Sequence, residues 1–345
     1  FRRFLKNRAS GKGKERRFKI GALLLYSKRL FPSFTSEMVQ GKVTEFTKSV
    51  SRSSPANLPR KQRIFKEIDE TINEFCFGEV MEADYCRPFP PSVSACYEAP
   101  RSKGGIQGYI REHVLKDMLE KPYWQRVVNI QSATNEDLGL GGRTQLAWEE
   151  CLDQMFVHAV AEVGGAGENW PRLPVMPAGL TEPLKVRIIT KSNWFLQLLT
   201  PIQKAWHSKM RRHPVFQLMG GVDVEMALAG MLLDKGQKVV SGDYSAATDN
   251  IFLEYTKYAA EKMLEKTVIL LPEDLKQFEP FIRKLVVHSL TCSELHYGGS
   301  VFPITRGQMM GHILSFPLLC VINRAASCMA IPRSRFMRIN GDDVI

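Results

Sequence analysis

Apolar residues recur at helical spacing over Ile64 to Phe77 and again over Glu149 to Val163, where Gly164-Gly165 supplies a stop. Val224 to Leu233 has the same period, and Phe18 to Leu30 holds a short, charge-flanked apolar run that predicts a buried helix. Thr200-Pro201-Ile202-Gln203 reads as a capping box with proline at the first helical position. The helix it predicts carries Lys204, Lys209, Arg211 and Arg212, a face for an RNA backbone or for solvent. Alternation over Lys185 to Lys191 predicts a strand with Lys185, Arg187 and Lys191 on one face and Leu184, Val186 and Ile188 on the other. Lys238 to Val240 reads as the end of a short buried strand. Between these elements, Ser49 to Arg63 reads as a linker or exposed loop, and Arg101-Ser102-Lys103-Gly104-Gly105 as a basic flexible loop.

Candidate chemistry concentrates in the second half. Asn340-Gly341-Asp342-Asp343-Val344-Ile345, with Met337 and Ile339 before it, predicts a tight turn between two strands. Two neighbouring carboxylates repel unless a positive charge lies between them, and a divalent cation is the usual one. About a hundred residues upstream, Gly242-Asp243-Tyr244-Ser245-Ala246-Ala247-Thr248-Asp249-Asn250 joins the short strand to a helix running through Ile251, Leu253, Tyr255 and Tyr258. A calcium loop would need glycine where Thr248 stands. Gly307 and Gly311 open a loop whose backbone can approach a ligand closely, and an apolar helix follows. Ser315, Pro317, Asn323 and Arg324 break that run, so it is no membrane span. The cations of Lys185 and Arg187 suit a polyphosphate, or an ordinary solvated strand face.

Taken together and in this order, the four segments resemble the polymerase motifs of positive-strand RNA viruses. Lys185 and Arg187 match the basic fingers motif, Asp243 to Asp249 the first palm motif, Gly307 to Asn323 the second, and Gly341-Asp342-Asp343 the third. The wording is most similar to the ourmia-like and narnavirus-like branch, over roughly residues 176 to 345. The resemblance implies an RNA-directed RNA polymerase with RNA template, nascent strand and NTPs as partners. Its implied α/β (α+β) fold is a right hand: helix-rich fingers and a ferredoxin-like palm with an antiparallel sheet. The expected division is a basic arm and helix (1–48), an N-terminal or fingers region (49–175), fingers with the basic motif (176–236) and palm (237–345). Family members continue into later palm motifs and a thumb; the sequence here ends after the paired Asp, so the expectation is a fragment with little or no activity alone.

Strand extension needs a 3′-hydroxyl to attack an α-phosphate in line, and two divalent ions about 3.5–4 Å apart stabilise the entering and leaving oxygens. Asp243 and Asp342 are the expected direct ligands, with Asp343 in support. Magnesium suits the oxygen donors, with manganese as a substitute. The ions require the carboxyl of Asp243 within about 10 Å of those at 342 and 343. By resemblance, Asp249 and polar residues of the second palm motif read the ribose 2′-hydroxyl. Ser315 stands four residues after Gly311, while Leu319 occupies a position often Asn in viral polymerases, and Asn323 lies a turn further on. Two rival readings are a reverse transcriptase, which usually carries an aromatic residue near the paired Asp where this chain has Asn340, and a non-catalytic RNA-binding relative.

Charge agrees with a polyanionic partner. The formal net charge is +11 and the pI about 9.3. Residues 1–31 hold eleven Lys or Arg against Glu15 alone, which reads as an RNA-contacting arm, a mitochondrial presequence or a solvated lead. The seven cysteines lack zinc-ribbon spacing and read as free thiols of a reducing compartment. The expected location is the host cytoplasm, with the mitochondrion as the alternative.

Overall fold

The computed structural model describes residues 34–345, apart from 56, 59, 117–140, 166, 168, 183–184, 218–240, 243, 245 and 332–336; for 141–147 only the helical backbone is described. The predicted helix at 224–233, the strand at 238–240, the basic arm, the apolar run at 18–30 and the carboxylate of Asp243 therefore lie outside the described residues.

The fold mixes helices with short strands. It divides into two units: Phe1–Phe46 with Ala178–Ile189, and Thr47–Pro177 with Thr190–Ile345. In the first, helix α1 (Ser36–Val50) contributes its start and the strands β2 (Leu173–Glu182) and β3 (Lys185–Lys191) contribute their turn ends. Val39 of α1 sits where a side chain at Gly179 would stand, with Val186 beside it, so this glycine allows helix and hairpin to close together.

The second unit holds the main core. Helix α2 (Lys61–Cys76) buries Ile68, Ile72 and Phe75 at helical spacing. It packs along α9 (Ser315–Ala330) and α7 (Leu253–Glu265), and α7 packs in turn on α8 (Glu279–Thr291). The long helix α4 (Gly141–Glu162) buries Leu152, Met155, Phe156 and Ala159. Phe156 stacks on Phe278 with ring centroids 4.7 Å apart and meets Phe281 edge-on. Strand β1 (Met81–Asp84) pairs in parallel with β4 (Thr267–Leu270). Strand β5 (Ser293–Tyr297) pairs in parallel with β2 and antiparallel with β6 (Ser300–Pro303), giving the order β3-β2-β5-β6. Among the described residues, no helix is long and apolar enough to cross a membrane. The seven cysteines form no disulfide with one another.

Several local expectations are corrected. The expected linker or exposed loop at 49–63 is shorter than its bounds: α1 runs to the fully buried Val50, whose carbonyl accepts the N–H groups of Thr305 and Arg306, α2 begins at Lys61, and the described residues between them are non-helical and mostly exposed. The supposed flexible loop at 101–105 is a 3₁₀ turn leading into α3 (Gly105–Tyr109). Gly105 carries φ 58°, and a Cβ there would collide with the Ser94 carbonyl, so its glycines mark close backbone packing, not freedom. The capping box at Thr200 does not form. A 3₁₀ turn over Trp194–Leu199 runs straight into α5 (Thr200–Arg211), so Thr200 donates back to the Gln197 carbonyl at 2.7 Å. Lys209 is no RNA-facing cation: it is buried and ion-paired with Glu79.

The aromatic stack around Phe156 yields a stability prediction. Phe156→Ala removes a fully buried ring and should cost about 3–5 kcal/mol, read as a lower urea midpoint. A loss under about 1 kcal/mol would contradict the packing described.

Candidate functional site

The predicted turn at the paired Asp is present. Strands β7 (Ile339–Asn340) and β8 (Asp343–Val344) pair antiparallel, with Ile339 opposite Val344 and Asn340 opposite Asp343. Gly341 takes φ 64° at the first central position of the two-residue turn, whereas Asp342 is not among the positive-φ residues. That combination is a type II′ turn, whose twist suits a hairpin and whose first position favours glycine. On its other edge Ile339 pairs with the segment around Phe216: its N–H donates to Val215 O and its carbonyl accepts from the Gln217 N–H, each at 2.8 Å. On the opposite edge, Gly242 and Val344 exchange two backbone hydrogen bonds of 2.8 and 3.1 Å. The hairpin therefore stands between Phe216 and Gly242.

This ladder ties the first acidic segment to the last. Gly242 is the chain neighbour of Asp243, and Val344 the chain neighbour of Asp343. Asp342 is half-buried and Asp343 exposed. Among the described residues, neither carboxylate has a hydrogen-bonding or ion-pairing partner.

The loop from Gly307 joins the same region by a second route. Gly307 donates to Ile251 O and Gln308 to Thr248 O, both at 2.7 Å. Gly307 has φ 90°, and a Cβ there would sit 3.1–3.2 Å from the backbone of Thr248 and Asp249. A larger residue would push this loop off the acidic segment. That segment is itself constrained: Ala246 holds a left-handed φ of 50° before the single-turn helix α6 (Ala247–Asn250). The helix expected to run on through Ile251 breaks there, because Ile251 and Phe252 are extended and α7 starts afresh at Leu253. The guanidinium of Arg306 lies 4.6 Å from the centre of the Phe252 ring.

The remainder of the loop is anchored by groups the sequence did not single out. Gln308 Nε2 donates to Thr256 Oγ1 on α7 at 3.1 Å. His312 Nδ1 accepts the Leu314 N–H, so Nε2 carries the proton and donates to Ser289 Oγ on α8 at 2.9 Å. Burial pushes the His312 pKa down to about 3, so the ring is a neutral strut. At Gly311 a Cβ would strike the Thr190 carbonyl at the end of β3. Ser315, the first residue of α9, is buried, and its hydroxyl finds no partner among the described residues.

Asn323 is not on the helix surface. It is buried and donates from Nδ2 to the Gly341 carbonyl at 2.9 Å. Its neighbour Arg324 is also buried, and reaches Glu74 on α2 at 3.1 Å and Met337 Sδ at 3.0 Å. Lys185 and Arg187 belong to the first unit. Arg187 Nε donates to Glu182 Oε1 at 2.8 Å, and Lys185 lies 4.0 Å from the same carboxylate. Asp243 lies outside the described residues, so the three expected metal ligands are represented here by Asp342 and Asp343.

Asp249 has a raised pKa because burial disfavours its charge, an effect that the Thr248 hydroxyl, 3.2 Å from Oδ1, partly opposes. For an acid whose folded pKa is raised, the ionised form costs stability above the folded pKa. That cost vanishes below the unfolded value, where both states are protonated. Asp249→Asn should therefore raise the melting temperature at pH 7, with the gain shrinking as pH falls through the carboxylate range. A variant less stable than the parent at pH 7 would contradict this.

No protein-family profile matches the sequence. The chain is 26% identical over 366 aligned residues to the RNA-dependent RNA polymerase of Ourmia melon virus (isolate Melon/Iran/VE9), an alignment covering 94% of this chain. It spans about 40% of the length of that relative. The similarity extends well upstream of residue 176, where the motif-based resemblance began. Across nearly all of its length, this chain is similar to a viral RNA-dependent RNA polymerase of the ourmia-like branch.

Proposed function

We propose that this chain is the fingers and palm portion of an RNA-directed RNA polymerase, which extends an RNA strand from NTPs on an RNA template. In this reading residues 176–236 belong to the fingers and 237–345 to a ferredoxin-like palm. The observation that carries the proposal is the backbone pairing of Gly242 with Val344, which links the segments bearing Asp243 and Asp342-Asp343. Similarity to the Ourmia melon virus polymerase supports it independently.

The donor set fits magnesium. The carboxylates of Asp342 and Asp343 are hard oxygen donors with no protein partner among the described residues, and Asp243 would complete the set. When bound, such ions stabilise the entering and leaving oxygens of an in-line phosphoryl transfer. The other roles fall to side chains. Lys185 and Arg187 would neutralise the triphosphate, exchanging Glu182 for a stronger anion. Asp249 and Ser315 would read the ribose 2′-hydroxyl, and the unpaired buried hydroxyl of Ser315 is the kind of group a ligand completes. Gly307 and Gly311 let the loop close on the acidic segment and on Thr190.

Asp342→Ala in the polymerase carrying this chain should lower nucleotide incorporation on a primed RNA template at least about 100-fold, near 2.7 kcal/mol of barrier. Affinity for the RNA, measured by fluorescence anisotropy, should change less than about threefold, under 0.7 kcal/mol. Equal loss of both, or full activity in the variant, would overturn the assignment.

A further inference from the structure

Gly341 is held by one face of α9. A Cβ on Gly341 would stand 3.2 Å from Phe316 Cε2 and 3.7 Å from Leu319 Cδ2. Its N–H donates to Cys320 Sγ at 3.3 Å, and its carbonyl accepts Asn323 Nδ2 at 2.9 Å. Residues 316, 319, 320 and 323 are spaced i, i+3, i+4 and i+7, so they form one stripe along the helix. Both backbone polar groups of the turn residue are thus satisfied by two side chains on adjacent helical turns. Gly341 and Asn323 are buried, so water is a poor substitute for either bond. The amide of Asn323 is itself oriented, because Oδ1 accepts from Ser327 Oγ at 3.3 Å. Burial keeps the Cys320 thiol protonated, with its pKa pushed up to about 12, so it acts here as a neutral acceptor.

We infer that Asn323, with Cys320, is a positioning residue that fixes the peptide immediately before the paired carboxylates, and that Asn323 does not read the ribose. The inference deepens the polymerase proposal and rests on it for its kinetic consequences. The expectation from the sequence gave Asn323 a nucleotide contact, whereas in the structure the side chain is buried, gives one of its two N–H donors to the Gly341 carbonyl and accepts from Ser327 on Oδ1. A carboxylate pair displaced by a fraction of an ångström loses catalysis without losing the substrate's binding contacts.

The test uses Asn323→Ala and the near-isosteric Asn323→Asp, which replaces the donor with an oxygen facing the carbonyl. In the polymerase carrying this chain, kcat for GTP incorporation should fall about 10- to 100-fold. KM and the preference for GTP over dGTP should stay within about twofold, under 0.5 kcal/mol. Deuterium uptake into peptides covering 337–345 should speed up in both variants, and Cys320→Ala should do the same. A collapsed GTP preference with unchanged exchange would overturn the inference in favour of ribose reading. Unchanged kcat and exchange would overturn it outright. Should Asn323→Ala fail to fold, Asn323→Asp decides. If the parent protein incorporates no nucleotide, the polymerase reading fails, yet the exchange experiment still decides whether the clamp exists.

Discussion

The structure turns on a short backbone ladder. Ile339 hydrogen-bonds to the chain at 215 and 217, β7 to β8, and Val344 to Gly242. Few hydrogen bonds are involved, and each contributes about 1 kcal/mol net. Their importance lies in what they align. A register slip of one residue in an antiparallel pair would turn every side chain to the other face. Here it would move Asp343 relative to Asn340 and break the match between Val344 and Gly242. The type II′ turn at Gly341 fixes that register from one end, and α9 fixes Gly341 from behind.

Around this ladder the core supplies rigidity. α9 is buried on most of its surface and packs on α2 and α7, so the groups it presents to Gly341 move little. Arg324 extends the connection by joining α9 to Glu74 on α2 and to Met337 just before β7. The glycine loop is set by a different group of contacts, with Gln308 on α7, His312 on α8 and Gly311 against Thr190. A carboxylate pair, one half-buried and one exposed, is thus mounted on buried elements tied to one another by these bonds. The raised pKa of Asp249 and the buried Ser315 hydroxyl, which has no hydrogen-bond partner among the described residues, both lie on segments that the polymerase proposal gives to the nucleotide.

Some of this was legible in the sequence. The hairpin at Asp342 could be read because Gly-Asp between alternating apolar residues has one good local solution. The helices at 64–77 and 149–163 could be read because their apolar period is strong. The role of Asn323 was hidden because a polar residue in a helix looks the same whether it faces solvent or a distant carbonyl. The stripe of Phe316, Leu319, Cys320 and Asn323 was a usable signal, since a polar group within an apolar stripe must find a partner. Thr200 misled for a different reason: the capping-box pattern assumes a free helix start, and the preceding 3₁₀ turn had already taken the place of the cap. The loop at 101–105 misled because glycine serves tight backbone packing as readily as mobility.

The central claim is that the segments around residues 243 and 342 share one cation site. Iron(II) can replace magnesium at oxygen-donor sites and, with peroxide, cuts the backbone close to where it is bound. The account predicts cleavage both between 242 and 244 and between 341 and 343, each competed by magnesium and both lost together in Asp342→Ala. Cleavage confined to one of the two segments, or retained at 243 when Asp342 is removed, would contradict it.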